Sequence, residues 1–259
     1  MVVFGKTAAT ACLVALSGLQ SAAAGPPTYK FTVENVTEEA YLAANLARNG
    51  KLLVQVNEVA REQSLENNLT GKLQEGDAIT EGPCEQMQIN TKLKNMFHQR
   101  FDYPSSTTPD YRQVLQDALK AGLAVFTDNK YPENDTAWEG IWDNDAGASL
   151  GYLLGSNSTQ IGCVIGKCTT VQPNDDEPSS STETPTEKAV LFCELSPAAL
   201  EDKAPFDEEY FNGLIARTAL LKAMTEDDLK APAENGTVGA VVPAIVIAGF
   251  ASMLTAVSA

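Results

Sequence analysis

The chain has 259 residues, of which 34 are Asp or Glu and 18 are Lys or Arg, so its formal net charge at pH 7 is −16. This composition excludes a nucleic-acid-binding surface, because phosphate backbones are bound by basic faces. It also disfavours direct contact with an anionic lipid surface. The length is enough for one well-filled domain.

The first 24 residues have the order of a secretory signal peptide. Lys6 precedes an apolar run from Ala8 to Leu19, and small residues at 22–24 lead to Gly25-Pro26-Pro27. A charged start, a short apolar segment and a small-residue cleavage site are typical of such a peptide. The apolar run is too short for a comfortable bilayer span. We predict cleavage after Ala24, with an uncleaved buried helix as the alternative.

Two helices are indicated in the first half of the chain by residues that start and stop helices. Thr37 precedes the acidic start of an apolar pattern with helical spacing, and Gly50 follows that pattern. Asp110 precedes a similar pattern that is followed by Gly122. Side-chain oxygens are favoured at helix starts and glycine at helix ends. We therefore predict one helix from Glu38 to Gly50 and another from Asp110 to Gly122.

Apolar spacing alone predicts three further helices. One begins near Lys51, one lies between Met87 and Phe97, and the last extends over residues 206–224.

The second half of the chain predicts a pair of strands. Residues 161–165 and 189–193 are apolar and rich in β-branched side chains, which is typical of buried strands. The segment between them, 172–188, is rich in Pro, Ser, Thr and acidic residues and has little apolar surface to bury. We predict that it forms a mobile acidic loop. Helices on both sides of a few strands indicate helices packed on a small sheet.

The C-terminal segment carries no charge from Val238 onward and contains an apolar run over residues 241–250. A stable membrane span is usually flanked by basic residues on its cytoplasmic side, and none follows here. A terminal apolar tail behind small residues is the pattern of a signal for a glycosylphosphatidylinositol (GPI) anchor. An ordinary membrane-spanning tail is the alternative.

The small residues needed at an anchor site are present just before this tail. We predict attachment at Asn235, with residues 230–235 as a stalk and 236–259 as the removed tail. Ala231 and Ala233 are alternative attachment points.

Cysteine usage agrees with secretion. Cys12 lies in the predicted signal peptide, and an even number of cysteines in the remainder predicts two disulfide bonds. The sequence alone leaves three pairings open. Zinc is disfavoured because there is no C-x-x-C pair and His98 is the single histidine. The four remaining cysteines are Cys84, Cys163, Cys168 and Cys193.

Four sequons within residues 25–229 make the chain a candidate glycoprotein, and Asn235-Gly236-Thr237 at the predicted anchor site is a fifth. The four acceptor residues within 25–229 are Asn35, Asn68, Asn134 and Asn157.

The cysteine-rich region resembles the end of a CAP domain, the domain of cysteine-rich secretory, antigen five and pathogenesis-related proteins. That family has a Gly-Cys pair, a second cysteine five residues later, and a strand that ends in cysteine before a Ser-Pro-Ala-like stretch. Here Gly162-Cys163, Cys168, Cys193 and Ser196-Pro197-Ala198 match this pattern. The resemblance implies an α/β fold, a three-layer αβα sandwich with a small, mainly antiparallel sheet. It also implies that Cys163 pairs with Cys193 and Cys168 with Cys84.

The whole pattern resembles the GPI-anchored surface antigens of Eimeria-type coccidian parasites, which are similar to a stripped CAP domain. On this basis residues 25–229 form the surface antigen domain. The resemblance implies a monomeric head on the outer leaflet of the plasma membrane that meets a host cell surface component or an antibody. Nucleic acid is not an expected partner, and the membrane is contacted only through the lipid anchor.

The patterns that would indicate catalysis are incomplete. CAP domains often carry two histidines and acidic residues in a cleft, sometimes with zinc, but here Ser149 stands near the family's histidine position. Residues 147–151 match G-x-S-x-G, yet no histidine follows to activate the serine. Trp138 and Trp142, among several carboxylates, suit a sugar cleft, but we interpret them as core anchors.

We therefore predict a chain with no catalytic, cofactor-binding or metal site, which is not an enzyme. Two alternatives remain. A contiguous apolar groove would favour a carrier of a small apolar ligand such as a sterol or lipid. Two facing carboxylates with perturbed pKa values would favour a hydrolytic enzyme.

Overall fold

The computed structural model describes residues 25–75, 78–86, 88–104, 107–174 and 180–230. The predicted signal peptide, the predicted anchor residue Asn235 and the predicted tail 236–259 lie outside the described residues.

The described chain contains one main sheet and a short ribbon. In the main sheet the strands run in the order β1-β6-β7-β5, all neighbours being antiparallel, and β2 pairs in parallel with the start of β6. β3 and β4 form the separate two-stranded ribbon. The strands are β1 (Thr28–Asn35), β2 (Ala60–Arg61), β3 (Ile79–Glu81), β4 (Gln88–Ile89), β5 (Phe97–Asp102), β6 (Gln160–Pro173) and β7 (Ser181–Ser196).

Helices cover both faces of the main sheet. They are α1 (Glu38–Asn49), α2 (Gln63–Gln74), α3 (Tyr111–Leu123), α4 (Asp135–Trp142), α5 (Asp145–Leu154) and α6 (Glu208–Ala216). α2 and the ribbon pack on one face, and α1, α3 and α5 pack on the other. The three-layer αβα sandwich that the CAP resemblance implies is confirmed.

The two central strands direct alternate side chains into the two cores. On β7, Leu191 and Cys193 join the larger core under α1, α3 and α5, whereas Val190 and Phe192 join the smaller core under α2. Because both faces are covered, these strands are nearly continuous apolar runs, which is why the sequence shows them clearly.

Both disulfide bonds that the resemblance implies are present in the structure. Cys163 and Cys193 are directly opposite each other on β6 and β7, with their Cα atoms 4.2 Å apart. Cys84 and Cys168 join the turn between β3 and β4 to β6, with 5.8 Å between Cα atoms. All four cysteines are buried.

The helices with clear end signals are where they were predicted. α1 ends directly before Gly50, and α3 begins directly after Asp110, whose carboxylate accepts a hydrogen bond from the Gln113 amide at 3.1 Å.

The helix predicted after Lys51 is wrong. Residues 51–59 run irregularly alongside α1, because two amide side chains of that helix hold the segment. Asn49 Oδ1 accepts from the Val56 amide at 2.9 Å, and Asn45 Oδ1 accepts from the Val59 amide at 2.9 Å. These bonds take the place of intrahelical ones, and Leu53 remains 72% exposed.

The helix predicted between Met87 and Phe97 is also wrong, since β4 and the start of β5 occupy this region and Met87 is not described. The last predicted helix is too long, because α6 ends at Ala216. Arg217 then turns towards the end of α1, where its guanidinium donates to the carbonyl of Gly50 at 3.2 Å.

The loop predicted over 172–188 is wrong for the residues that the structure describes in β6 and β7. The two strands continue through this segment as far as the pair formed by Pro173 and Ser181. A ladder of backbone hydrogen bonds does not require apolar side chains, and surface pairs support it, such as Lys30 with Glu183 at 2.7 Å. Pro185 lies beyond the end of β5, where an edge strand tolerates proline.

The end of the described chain lies beside the C-terminal end of α1. The Leu229 carbonyl accepts from Gln55 Nε2 at 2.8 Å, and the Asp228 carbonyl accepts from the Lys51 amide at 2.8 Å. Asn57 Nδ2 in turn donates to the Ser156 carbonyl at 3.0 Å, just before β6 begins. The described chain therefore ends near the start of β6, away from the pair formed by Pro173 and Ser181.

Candidate functional site

The single histidine and the serine of the G-x-S-x-G pattern contact each other. Ser149 Oγ donates to the His98 carbonyl at 2.8 Å and accepts from the His98 amide at 3.0 Å. His98 lies on β5, an edge strand, so these two backbone groups point away from the sheet. Ser149 on α5 occupies the place that a neighbouring strand would take, and its hydroxyl hydrogen is committed to a backbone carbonyl.

The glycines of this pattern have packing roles. The pattern lies within α5, not at a strand-to-helix turn. A Cβ atom at Gly147 would lie 2.3 Å from the Ile141 carbonyl oxygen, and one at Gly151 would lie 2.8 Å from the Trp142 ring. Both glycines therefore allow α4 and α5 to approach closely.

The His98 ring is buried and held in one orientation. Its Nδ1 lies 3.0 Å from the Met96 carbonyl oxygen, so Nδ1 carries the hydrogen and Nε2 is an acceptor in the neutral ring. Burial lowers the pKa of His98, which favours this neutral form. Within the described part of the chain, Nε2 has no hydrogen-bond partner.

A groove of about 270 Å³ opens beside this ring, and we name it the His98 groove. It carries the carboxylates of four acidic residues and one ammonium group. Lys94 Nζ binds Asp145 at 2.7 Å, and the Tyr152 hydroxyl donates to Glu201 Oε1 at 2.5 Å. The histidine and the acidic and basic residues that line the groove are Lys94, His98, Asp143, Asp145, Glu201 and Asp202.

The two tryptophans are core anchors, as interpreted from the sequence. Trp138 is buried against Phe126 and Phe206, with ring centroids 5.8 and 5.7 Å away. Trp142 is buried against Tyr152 at 5.0 Å, and its indole nitrogen donates to the Lys203 carbonyl at 2.8 Å.

A second cluster was missed at the sequence level. Glu66 on α2 is buried and accepts hydrogen bonds from Tyr41 at 2.6 Å and from Arg61 at 2.6 Å. The hydrogen bond from Arg61 is the main reason that the pKa of Glu66 lies below its ordinary value. A hydrolytic general acid needs a raised carboxylate pKa, so this group stays ionised and joins α1, α2 and β2 structurally. No sequence signal marked it, because its partners come from separate elements.

A larger groove of about 460 Å³ lies between β5 and α3 and is strongly charged. Its charged lining residues are Glu85, Arg100, Asp102, Asp110, Asp117 and Lys188. Charged side chains therefore line both this groove and the His98 groove.

Metal-ligand clusters and membrane spans are both absent from the described ranges. These ranges contain no group of three or more His, Cys, Asp or Glu side chains that could hold a metal ion. They also contain no helix that is both long and apolar enough to cross a membrane.

The four sequon asparagines are all exposed, but their surroundings differ. Asn35 ends β1, and Asn157 lies in the turn before β6. Asn134 caps α4, where its side-chain oxygen accepts from the Ala137 amide at 3.0 Å. Asn68 lies within α2, where its nitrogen donates to Glu194 at 3.0 Å.

The fold and its two buried bridges define a disulfide-bonded α/β domain of the extracellular type. A family model described as the sporozoite surface antigen (SAG) protein domain matches residues 37–223. The chain belongs to this family.

Solved structures are similar to this chain at low identity. The Eimeria tenella surface antigen SAG19 is 18% identical with a TM-score of 0.39, and the match covers 72% of this chain and 97% of that one. A hookworm platelet inhibitor is 11% identical with a TM-score of 0.39, over 68% of this chain and 79% of that one. Na-ASP-1 is 14% identical with a TM-score of 0.33, over 67% of this chain and 40% of that one. No curated protein matches the chain.

Proposed function

We propose that this chain is a GPI-anchored parasite surface antigen that acts by binding, without catalysis, in attachment to host cells or in contact with the immune system. The observation that carries the proposal is membership of the sporozoite surface antigen family over residues 37–223. The signal-like start and the uncharged tail of the sequence support delivery to the outer leaflet.

The geometry around the single histidine supports the absence of catalysis. A serine nucleophile needs a base within hydrogen-bond reach, but the Ser149 hydroxyl bonds the backbone of His98 on both sides. The His98 ring itself is oriented by the Met96 carbonyl. Both groups serve the packing of α5 against β5.

The two alternatives receive less support. A carrier of a sterol or lipid needs an apolar groove, whereas the larger grooves of the described chain are lined by charged side chains. A hydrolase needs one carboxyl group with a raised pKa. The pKa values of Glu62, Glu66 and Asp228 are instead lowered, each chiefly by a hydrogen bond to its carboxylate.

Anchoring is tested on cells that express the full chain. Phosphatidylinositol-specific phospholipase C should release the protein into the medium, provided that the anchor is of the unacylated, cleavable form. A control variant, Ile245→Asp with Ile247→Asp, interrupts the apolar tail and should be secreted or retained inside the cell without an anchor. Residues 241–259 found in the mature surface protein by mass spectrometry would contradict the anchor.

Attachment is tested with cells that display the full chain. They should adhere to host cells more than cells that display an unrelated GPI-anchored protein of similar negative charge. An antibody against the displayed domain should reduce adhesion. Equal adhesion of the two displaying cell types would refute the attachment role.

A further inference from the structure

The His98 groove has an excess of hydrogen-bond acceptors and negative charge. Four carboxylates face one ammonium group, and that ammonium already binds one of the carboxylates. An acidic surface alone does not define a site, since such residues are normally solvated. The groove differs because a side chain that is 92% buried also lines it.

That side chain is His98, which is 8% exposed. Because Nδ1 is bonded to the Met96 carbonyl, the acceptor lone pair of the ring is on Nε2. Nε2 has no hydrogen-bond partner among the described residues, and it is not fully enclosed by protein atoms. His98 lines this groove and also a smaller one of about 140 Å³ that includes Ser149. Because this acceptor is open to solvent, a ligand with N–H donors would take the place of water at Nε2.

The side chains of the groove also indicate which class of hydrogen-bond donor a ligand would carry. Its own Lys94 ammonium lies 2.7 Å from Asp145, so a primary ammonium group suits this carboxylate. Trp142 and Tyr152 also line the groove, and aromatic side chains next to carboxylates favour organic cations. A divalent metal is not favoured, because the described residues contain no suitable cluster of ligands.

We propose that the His98 groove binds a primary ammonium or guanidinium group, presented by a lysine or arginine side chain of a partner protein. The N–H groups of the cation donate to His98 Nε2 and to the carboxylates of Asp145 and Glu201. This assignment rests on the proposed role in binding a host component and names the chemistry that this component presents.

The single histidine makes a direct test possible. The full chain, solubilised in detergent micelles and labelled with ¹⁵N-histidine, gives NMR signals from one imidazole ring. Butylammonium, methylguanidinium and short peptides with one Lys or one Arg are titrated in turn. We expect a saturable shift of the Nε2 signal, with a Kd of about 1 mM for the small cations.

Matched variants separate the groove from the general acidity of the chain. Asp145→Asn and Glu201→Gln should each weaken binding about threefold, the scale of one partly exposed ion pair. Glu183→Gln removes the same charge far away on β7 and should leave the Kd unchanged. Lys94→Met removes the internal competitor of the ligand and should strengthen binding by a similar factor.

Several results would overturn the proposal. The first is that no cation shifts the Nε2 signal of the native chain. The second is that Glu183→Gln weakens binding as much as Asp145→Asn does. An unchanged Kd in Lys94→Met would also contradict it. If free polyamines bind more tightly than peptides of equal charge, the cation comes from a free amine and the assignment to a partner side chain fails.

The outcome is distinguishable from that of the proposed function. Cells that fail to adhere while butylammonium still shifts the His98 signal would refute attachment and leave the groove assignment standing. Adhesion that persists in the double variant Asp145→Asn with Glu201→Gln would refute the groove assignment and leave attachment standing.

Discussion

The β6–β7 hairpin contains two regions that share one ladder of hydrogen bonds but differ in what surrounds them. In the inner region, residues 160–168 and 189–196, most side chains are buried between the helical layers. In the outer region, residues 169–173 and 181–188, most are partly or fully exposed and many are Thr or Glu. The comparison shows that burial between the helical layers stabilises the inner region. Backbone pairing, including that with β1, stabilises the outer region, where little is buried.

The largest expected effect concerns the bridge at the boundary of the two regions. Cys84→Ala with Cys168→Ala opens a closed chain segment with a sequence separation of 84. By loop-closure entropy this should lower the free energy of unfolding by about 4.5 kcal/mol. The measurement is denaturant unfolding followed by tryptophan fluorescence.

The matched control is Cys163→Ala with Cys193→Ala, whose separation is 30 and whose strands remain paired by the ladder. The same relation gives about 3.7 kcal/mol. A larger loss for this pair than for Cys84 and Cys168 would contradict the view that the ladder already holds the inner region.

The second prediction compares one side chain in each region. Phe192 is fully buried in the inner region, where its ring meets Phe31 edge-on at 5.5 Å. Phe192→Ala should therefore cost about 3–5 kcal/mol of unfolding free energy. Thr184→Ala in the outer region removes an exposed side chain and should change it by less than about 0.5 kcal/mol. Similar losses in the two variants would show that the outer region is as tightly packed as the inner one.

A smaller loss of unfolding free energy is expected at β5, the strand that pairs with the inner region of β7. Ser149→Ala removes the hydroxyl that satisfies both the amide and the carbonyl of His98. Leaving these buried groups without a partner should cost about 1–3 kcal/mol. The His98 amide should also lose hydrogen-exchange protection. Ser156→Ala is a suitable control, and equal protection of His98 in both variants would disprove the role of Ser149.

The smallest effect is a dependence of stability on pH. Burial lowers the pKa of His98 in the folded chain. The hydrogen bond to the Met96 carbonyl and the nearby Asp145 oppose this shift, whereas Arg100 and Lys94 add to it. Below about pH 6.5 the unfolded chain binds a proton that the folded chain does not. As the pH falls below about 6.5, the free energy of unfolding should therefore decrease by at most about 1.4 kcal/mol per pH unit. The decrease ends once the pH is below the pKa of His98 in the folded chain.

Denaturant unfolding between about pH 7 and pH 5.5 measures this slope. His98→Gln removes the only histidine and should flatten it. An unchanged slope in this variant would mean that other groups cause the acid sensitivity.

The features that the sequence predicted well are those with local or continuous signals. Asp110 marks the start of α3, because its side chain accepts a hydrogen bond from the first turn. Unbroken apolar runs indicate the inner strands. The outer region was missed because Pro, Thr and acidic residues are typical of loops. Its strands depend on register with a partner strand, which local composition does not show.

Contacts between distant residues explain the remaining differences. The amides of Asn45 and Asn49 hold residues 51–59 out of a helix through tertiary hydrogen bonds. The contact between His98 and Ser149 joins residues 51 positions apart. The spacing of the resembling family and the G-x-S-x-G pattern both pointed to Ser149, but nothing local connected it to His98.

The described chain ends beside α1, and this position fixes which end of the domain an anchor beyond it would leave farthest from the membrane. Gln55 holds Leu229 near the start of β6, and the hairpin continues from there for the 14 residues of that strand. At about 3.3 Å per residue this is about 45 Å. An anchor joined beyond Lys230 would therefore place Glu183 and Thr184 on the membrane-distal tip, where an approaching antibody or neighbouring cell meets the molecule first.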